Sequence, residues 1–255
     1  MSLEGHTAIV TGSGRNIGRS IALAFAREGA NVIVNSRSNQ REVDAVVGEV
    51  KELGAKVIGV LADVSDPQQV QAMVDQALAA FGTVDIVVNN AAVRPSKPFT
   101  EMDYDDWRRV TGVDLDGAFL CTRAFVPGMI QQKWGRIVNI AGMMAFEGRG
   151  GYAHISAAKM GLIGMTRALA VELAPHDILV NCISPGTIDT VNPNADQNID
   201  ESRRAEAAAR RIARVPLGRL ASPEEISSVC VFLASPGGGY ISGQTIHVNG
   251  AADRR

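Results

Sequence analysis

A short apolar run leads directly into a glycine-rich turn in the segment Thr7-Ala8-Ile9-Val10-Thr11-Gly12-Ser13-Gly14-Arg15-Asn16-Ile17-Gly18. The apolar run has the β-branched character of a strand, and a helical pattern follows from Ile17. A glycine-rich turn between a strand and a helix lets backbone N–H groups and the helix N-terminus approach a pyrophosphate. Because the motif is far more specific in that setting than by itself, the segment predicts a dinucleotide-binding βαβ unit.

The same alternation of strand and helix patterns continues along the chain, which predicts an α/β fold with a parallel sheet and right-handed crossovers. The predicted strands are Thr7–Val10, Asn31–Asn35, Lys56–Val60, Ile86–Asn89, Arg136–Ile140, Ile178–Ser184 and Thr245–Val248. The predicted helices include Ile17–Glu28, Arg41–Leu53, Pro67–Phe81 and Tyr104–Gln132. We therefore expect one Rossmann-like, doubly wound domain over residues 1–255, with a seven-stranded sheet covered by helices on both faces. The long irregular stretch at about 187–216 predicts a substrate lid.

Composition narrows the class of protein further. The 255 residues are 46% hydrophobic and 20% charged, with a net charge of −2, so no basic field for nucleic acid is expected. Cys121, Cys182 and Cys230 are widely spaced and lie outside any C-x-x-C motif, which argues against a disulfide framework and a metal site. The absence of a signal-peptide pattern and of a long apolar run predicts a cytoplasmic protein without membrane association.

Several motifs in their order along the chain carry a family resemblance. The glycine turn resembles the pattern T-G-x-x-x-G-x-G, with Asn16 at the middle glycine position, where its tolerance of left-handed backbone would preserve the turn. The other matching segments are Asp63-Val64, Asn89-Asn90-Ala91-Ala92, Ser184-Pro185-Gly186-Thr187-Ile188-Asp189-Thr190 and Tyr240-Ile241-Ser242-Gly243-Gln244-Thr245. Together they resemble the short-chain dehydrogenase/reductase family over nearly the whole chain, and within it the branch of 3-oxoacyl-acyl-carrier-protein reductases. Asp63-Val64 resembles the family's adenine-contacting pair, and the segment Ser184 to Thr190 resembles the one beside the nicotinamide.

The resemblance implies a nicotinamide cofactor and the residues that hold it. The implied cofactor-binding residues are Gly12, Ser13, Arg15, Asn16, Ile17, Gly18, Arg37, Asp63, Val64, Asn90, Ala91, Lys159, Pro185, Gly186, Ile188 and Thr190. An NAD site usually has an acid after the second strand, whereas this chain has Asn35-Ser36-Arg37 there. Two guanidinium groups, Arg15 and Arg37, suit a 2′-phosphate, so NADP(H) is expected to be preferred over NAD(H), unless both arginines are simply solvated.

The family's reaction implies four further residues, and this chain matches only one of them. In the family, hydride transfer between NAD(P)H and a carbonyl or alcohol uses a tyrosine as acid or base, a lysine, a serine and an asparagine. Lys159 matches the lysine, because the residues after it resemble the family's helix. The tyrosine position is Ile155, the serine position is Gly142 and the asparagine position is Asp114.

Substitute groups lie close in sequence to the vacant tyrosine position. Tyr152 is seven residues from Lys159, roughly 10 Å along a helix, which is too far for direct tuning of its acidity. Histidine as a residue type is suited to proton transfer near neutral pH, but His154 would point about 100° away from Ile155. Asp114 either pairs with Lys159 or is a residue of a local helix bend. The candidate catalytic residues are therefore Lys159, Tyr152, His154 and Asp114.

Three functional hypotheses follow. The first is an NADP(H)-dependent oxidoreductase that acts by an atypical mechanism on a small-molecule carbonyl, alcohol or activated double bond. The second is a lyase or isomerase on the same scaffold. The third is a catalytically inactive NADP(H)-binding sensor or partner protein. The cofactor motifs favour the first, and the family implies a homotetramer or homodimer built on the helix Tyr104–Gln132 and the helix after Ile155.

Overall fold

The computed structural model describes residues 2–190 and 201–253. Its seven strands are β1 (Thr7–Val10), β2 (Asn31–Ser36), β3 (Val57–Leu61), β4 (Ile86–Asn89), β5 (Gly135–Ile140), β6 (Ile178–Pro185) and β7 (Thr245–Val248). They form one parallel sheet in the order β3-β2-β1-β4-β5-β6-β7. The predicted doubly wound α/β fold is confirmed, with each predicted strand within about one residue of its observed ends.

Helices connect the strands and cover the sheet. They are α1 (Asn16–Arg27), α2 (Gln40–Glu52), α3 (Pro67–Phe81), α4 (Tyr104–Thr111), α5 (Gly117–Gln132), α6 (Met144–Glu147), α7 (Ala153–Leu173), α8 (Glu201–Ile212) and α9 (Pro223–Ala234). The start of α3 shows how local sequence fixes these bounds. The Asp66 carboxylate accepts the N–H of Gln68 at 2.8 Å, and Pro67 occupies the first turn, where its missing N–H costs nothing.

Alternate residues of the central strands supply two apolar cores, one on each face of the sheet. Ala8 and Val10 of β1 pack with buried residues of α1, α2 and α9. Ile9, between them, packs with residues of α3 and α5 on the opposite face. Because the strand order reverses between β1 and β4, a crevice opens at their carboxyl ends, which is where ligands bind in sheets of this kind.

One predicted helix is wrong in its detail. Tyr104–Gln132 was expected as a regular helix, but a π-helical turn, Gly112–Asp116, separates α4 from α5. Such turns insert a residue into the helical repeat and commonly mark functional sites. Here the turn brings Asp114, a polar residue, to a fully buried position.

The predicted lid lies only partly within the described residues. Residues 191–200 of the predicted lid lie outside the described residues. Its second half was predicted as irregular, and this is wrong, because α8 spans Glu201–Ile212. Within the described ranges, no helix has the length and apolar character needed to span a membrane.

Candidate cofactor and active site

We call the phosphate end of the site the glycine turn Thr11–Gly18 together with Asn90 and Ala91 after β4. The Asn90 side chain donates to the carbonyls of Thr11 and Gly12 at 2.9 and 3.0 Å. The Thr11 hydroxyl in turn accepts the backbone N–H groups of Asn90 and Ala91, each at 3.0 Å. These bonds tie the end of β4 to the turn after β1 and fix the backbone that a pyrophosphate would approach.

Backbone geometry explains the residue types in the turn. Gly12 has φ +62°, and a Cβ there would lie 2.9 Å from the Cα of Ala91. Asn16 has φ +51°, so the left-handed conformation expected for this residue is observed. A Cβ on Gly18 would lie 2.6 Å from the amide nitrogen of the Asn90 side chain. The turn therefore needs its glycines for close backbone approach, and a side chain at Gly18 would displace Asn90.

The N-terminus of α1 fits an anionic ligand. Its N-cap residue, Arg15, makes no side-chain capping hydrogen bond, and its first turn contains no acidic residue. Uncapped N–H groups and the helix dipole both favour a negative charge at this position. Ser13 supports the turn from below, since its hydroxyl donates to the Val10 carbonyl at 2.7 Å and accepts the Asn35 N–H at 3.0 Å. These features fit a dinucleotide phosphate.

Asn35 is a residue whose role the sequence did not show. It is buried, its side-chain oxygen accepts the Gly12 N–H at 3.2 Å, and its side-chain NH2 group donates to the carbonyls of Val60 and Ala62 at 3.3 and 3.1 Å. Asn35 therefore joins the glycine turn to β3, and the absence of a carboxylate at this position has a structural reason.

A carboxylate nonetheless borders the same corner. Glu42, in the first turn of α2, lies 3.7 Å from Arg15, while Arg37 is exposed at the end of β2. The nearest side-chain atoms to a Cβ built on Gly14 belong to Glu42, at 3.0 and 3.1 Å. Glu42 was missed because an acidic residue in a helix's first turn is common and gives no sign of which loop it will face.

Asp63 and Val64, the pair predicted to contact adenine, have different surroundings. The Asp63 carboxylate accepts the backbone N–H and the hydroxyl of Ser65 at 2.9 and 2.6 Å. Val64 is buried, and a Cβ on Gly117 would meet its side chain. Asp63 is thus held in a fixed loop, while the Val64 side chain belongs to the packing against α5.

The predicted nicotinamide segment lies at the end of β6. The Gly186 N–H donates to the Val248 carbonyl at 2.9 Å, and a Cβ on Gly186 would lie 2.6 Å from the Cα of Asn249. Farther along, the Ile188 carbonyl accepts from the Arg211 guanidinium at 2.6 Å. The Pro185 carbonyl accepts the N–H of Met143, which joins this segment to the loop after β5, and Thr190 is the last described residue before the gap.

We call the chemical end the set Asp114, Gly142, Tyr152, Ile155 and Lys159. The Lys159 ammonium lies 3.1 Å from an Asp114 carboxylate oxygen and donates to the Ile140 carbonyl at 3.1 Å. The other Asp114 oxygen accepts the Val93 N–H at 2.8 Å. Both charged side chains are almost fully buried, so each compensates the other's charge in a low-dielectric setting. Asp114 both pairs with Lys159 and belongs to the bend in the helix.

The two positions that would face a carbonyl carry no polar group. Ile155 is 1% exposed, inside the core. Gly142 has φ +151°, a backbone conformation that residues with a side chain rarely adopt, although no atom lies within 4 Å of a Cβ built there. A serine hydroxyl at Gly142 is therefore opposed by the backbone and not by lack of space.

The structure separates the two substitute groups, Tyr152 and His154. Tyr152 is the half-buried residue that precedes α7, and the Arg149 guanidinium lies 4.9 Å from its ring centroid. His154 is completely buried, and neither ring nitrogen has a hydrogen-bond partner within the described chain. It lies five residues before Lys159 on α7, about 140° away from it around the helix axis.

The start of α7 lies between loops at the carboxyl edge of the sheet. The Gly151 carbonyl accepts the Lys97 N–H at 2.9 Å, and Lys97 follows β4. The Ser156 hydroxyl donates at 2.8 Å to the carbonyl of Met144, which follows β5. Tyr152 is thus held among the loops that border the ligand crevice.

Cys182 is a buried thiol near Lys159. Burial raises the pKa of its thiol to about 12, which outweighs the opposite effect of the nearby Lys159 charge. Among the residues that the structure describes, no three His, Cys, Asp or Glu side chains come together as a metal site would require.

Comparison with known proteins gives this arrangement a family. The family model described as "Enoyl-(Acyl carrier protein) reductase" matches residues 12–251. The chain is 39% identical to the 3-oxoacyl-[acyl-carrier-protein] reductase of Aquifex aeolicus, over 98% of both chains. It is 38% identical to a subunit of the (2S)-[(R)-hydroxy(phenyl)methyl]succinyl-CoA dehydrogenase of Thauera aromatica, over 98% of this chain and 97% of the relative.

Solved structures agree with this result. A crystal structure from Sinorhizobium meliloti, described as a short-chain alcohol dehydrogenase, superposes with a TM-score of 0.90 at 32% identity, over 98% of this chain and 97% of the other. One from Agrobacterium tumefaciens, described as a gluconate dehydrogenase, gives 0.90 at 34% identity with the same coverage. The chain therefore belongs to the short-chain dehydrogenase/reductase family of oxidoreductases.

Proposed function

We propose that the chain is an NADP(H)-dependent oxidoreductase that reduces a carbon–carbon double bond conjugated to a carbonyl in a small-molecule substrate. The observation that carries the proposal is the position of the available acid. Ile155 is sealed in the core, whereas Tyr152 stands three residues nearer the start of α7, among the loops of the crevice. At helical rise this moves the acid about 4.5 Å farther from Lys159 than in the family's usual arrangement.

That displacement suits conjugate reduction. In a ketone, the oxygen that gains a proton is bonded to the carbon that receives the hydride. In an α,β-unsaturated carbonyl, the oxygen that gains charge lies three bonds from the carbon that receives the hydride. The proton donor must therefore lie farther from the hydride donor. A phenol two turns before Lys159, only about 20° from it around the helix axis, meets that requirement in direction and distance.

Simple carbonyl reduction is disfavoured for the opposite reason. Ile155 has no proton to give, and Gly142 has no hydroxyl to polarise a carbonyl oxygen. Loss of one positioned acid typically lowers a rate by roughly 10²–10⁴-fold. The relatives named as 3-oxoacyl reductases therefore share the scaffold with this chain, while the proposal assigns it a different position for proton transfer.

The cofactor proposal rests on the phosphate end and its arginines. Reduced nicotinamide bound in this site would supply the hydride. Thr11–Gly18 would hold the pyrophosphate, and Lys159 would hold the ribose beside the nicotinamide. Arg15 and Arg37 carry guanidinium groups suited to a 2′-phosphate, which supports NADP(H) over NAD(H). Asp114 would fix the position of Lys159 through their ion pair.

Exposed apolar side chains support a homotetramer or homodimer. Phe119 on α5 and Met160 on α7 are 49% and 44% exposed, on the helices expected to form the interface. Sedimentation of the chain and of Phe119→Glu tests this assignment. A smaller particle for the variant alone is the expected result, and a monomer in both samples would contradict it.

Replacement of the phenol tests the mechanism. The chain should oxidise NADPH when crotonyl-CoA, which has a conjugated double bond, is the substrate. Tyr152→Phe should lower the kcat of this reduction by at least about 10²-fold. The affinity for NADPH should stay within about twofold, because Tyr152 is absent from the phosphate end. Tyr104→Phe, at a 73% exposed tyrosine that begins α4, is the matched control and should leave kcat unchanged. Equal rates for Tyr152→Phe and the unsubstituted chain would overturn the assignment.

A second function is favoured by two observations. Ile155 is sealed in the core where the family places its acid, and the Thauera aromatica relative is named as a subunit of a dehydrogenase. Both facts fit a catalytically inactive subunit that binds NADP(H) and associates with another, active subunit. Tight NADPH binding without consumption in the presence of either a conjugated or a keto thioester would support this function over the first.

A further inference from the structure

Two arginine–glutamate pairs connect α1 to α2, and only one of them borders the glycine turn. Arg19, in the first turn of α1, forms a two-bond ion pair with Glu49, near the C-terminal end of α2. Arg15 lies 3.7 Å from Glu42 at the end beside the turn, and the wider separation shows a looser contact. The difference matters because Arg15 is also one of the two cations proposed to recognise a 2′-phosphate.

The Glu42 carboxylate is directed at the glycine turn by its own helix. Its N–H donates to the Asn39 side chain at 3.3 Å, which fixes the first turn of α2 against the loop after β2. Its carboxylate lies 3.1 Å from the position that a Cβ of Gly14 would occupy, and the Glu42 side chain is 28% exposed. Glu42 thus lies over the turn, with one oxygen toward Arg15 and another toward Gly14.

We propose that Glu42 is a specificity-determining residue that weakens the preference for NADPH over NADH. The Glu42 carboxylate and a 2′-phosphate compete for the same Arg15 guanidinium. NADH lacks the 2′-phosphate, so Arg15 can stay paired with Glu42 when it binds. NADPH must draw Arg15 away from Glu42 or share it, with Arg37 as the other cation. The inference rests on the proposed cofactor site, and it adds the residue that sets how strongly that site prefers NADPH over NADH.

The proposal accounts for two features at once. An acid is usual where a Rossmann-like site accepts a bare ribose, and arginines are usual where it accepts a 2′-phosphate. This chain has both kinds of group in one corner, with the acid on α2 instead of at the end of β2. A site of this composition binds both cofactors, and the ratio depends on the charge of Glu42.

Calorimetric titration of NADPH and NADH into the whole chain tests the proposal. Glu42→Gln keeps the size of the side chain and removes its charge. It should tighten NADPH binding roughly 5–10-fold, the effect of one close surface charge. It should change NADH binding less than about twofold. Glu49→Gln is the matched control, because it breaks the other α1–α2 ion pair, and it should leave the ratio of the two affinities unchanged.

Each outcome has a distinct meaning. Equal changes in both affinities for Glu42→Gln, or the same change in the ratio for Glu49→Gln, would overturn the role of Glu42 while leaving the proposed function intact. In an Arg15→Gln background, the gain from Glu42→Gln should fall below about twofold, since the contested cation is absent. A full gain there would overturn the competition for Arg15. Failure of the unsubstituted chain to bind either nucleotide would overturn the proposed function and this inference together.

Discussion

The phosphate end and the chemical end lie along the same carboxyl edge of the sheet, but they use their polar groups in opposite ways. At the phosphate end, Thr11 and Asn90 form hydrogen bonds with the backbone of the turn, and the N-cap residue of α1, Arg15, makes no capping hydrogen bond. At the chemical end, Asp114 and Lys159 are bonded to each other and to buried backbone. The polar groups of the first region shape an exposed turn, whereas those of the second neutralise each other inside the core.

The largest expected effect is the loss of the buried ion pair. Asp114→Ala leaves the Lys159 ammonium uncompensated and the Val93 N–H without its acceptor, so the free energy of unfolding should fall by about 3–5 kcal/mol. Urea denaturation measures it. Asp116→Ala is the control, because this residue belongs to the same π-helical turn but pairs with Arg108 at the surface, and its loss should be within about 1 kcal/mol. Similar losses in the two variants would mean that the Asp114–Lys159 pair does not stabilise the chemical end.

The second effect concerns the phosphate end. Gly18→Ala introduces a Cβ at 2.6 Å from the Asn90 amide and 2.7 Å from the Cα of Ser13. The turn must shift, at a cost of about 1–3 kcal/mol, which corresponds to NADPH binding weaker by roughly 5–150-fold if the cost falls on the bound state. Gly48→Ala is the control, since no atom lies within 4 Å of its Cβ and alanine favours helix. Calorimetry that finds Gly18→Ala binding NADPH normally would contradict the close-approach role of Gly18.

The third effect concerns the tyrosine position, Ile155, and tests whether a tyrosine alone restores the family's usual reaction. Ile155→Tyr adds bulk at a site that is 1% exposed, so the variant should lose about 1–3 kcal/mol in unfolding free energy. It should gain less than about tenfold in the reduction of acetoacetyl-CoA, because Gly142 still has no hydroxyl. Ile155→Phe adds the same ring without the hydroxyl and serves as the control. A gain of about 10²-fold for the tyrosine variant alone would show that one residue separates this site from the family's usual chemistry.

The smallest expected effect is at Cys182. Burial raises the pKa of this thiol to about 12 and that of Cys121 also to about 12, so both remain protonated at pH 8. The folded chain should therefore react with a disulfide reagent at pH 8 far more slowly than the unfolded chain. Rapid labelling of Cys182 with loss of NADPH consumption would place a reactive nucleophile at the chemical end.

Local sequence was sufficient for the fold and for most of the phosphate end. The strands are short β-branched runs buried on both faces, and such runs carry their own signal. The left-handed backbone of Asn16 could be predicted because glycine or asparagine at a turn reflects a backbone requirement at that residue. These are features that neighbours in sequence determine.

The features that sequence did not show depend on distant contacts. The π-helical turn lies where Leu115 packs near Gly161 of α7 and Gly112 lies near Ser65, contacts between separate helices and loops. The position of Glu42 over the glycine turn depends on how α2 packs beside α1. The left-handed backbone at Gly142 explains why serine is absent there, but the sequence shows only the glycine.

A single-turnover comparison tests the central claim most directly, namely that the cofactor site is retained while the position of proton transfer has changed. The chain is saturated with NADPH and mixed with either crotonyl-CoA or acetoacetyl-CoA, and nicotinamide absorbance is followed. We predict loss of NADPH absorbance with the conjugated thioester and none with the keto thioester on the same timescale. Consumption of NADPH by acetoacetyl-CoA at a rate equal to or above that with crotonyl-CoA would contradict the account.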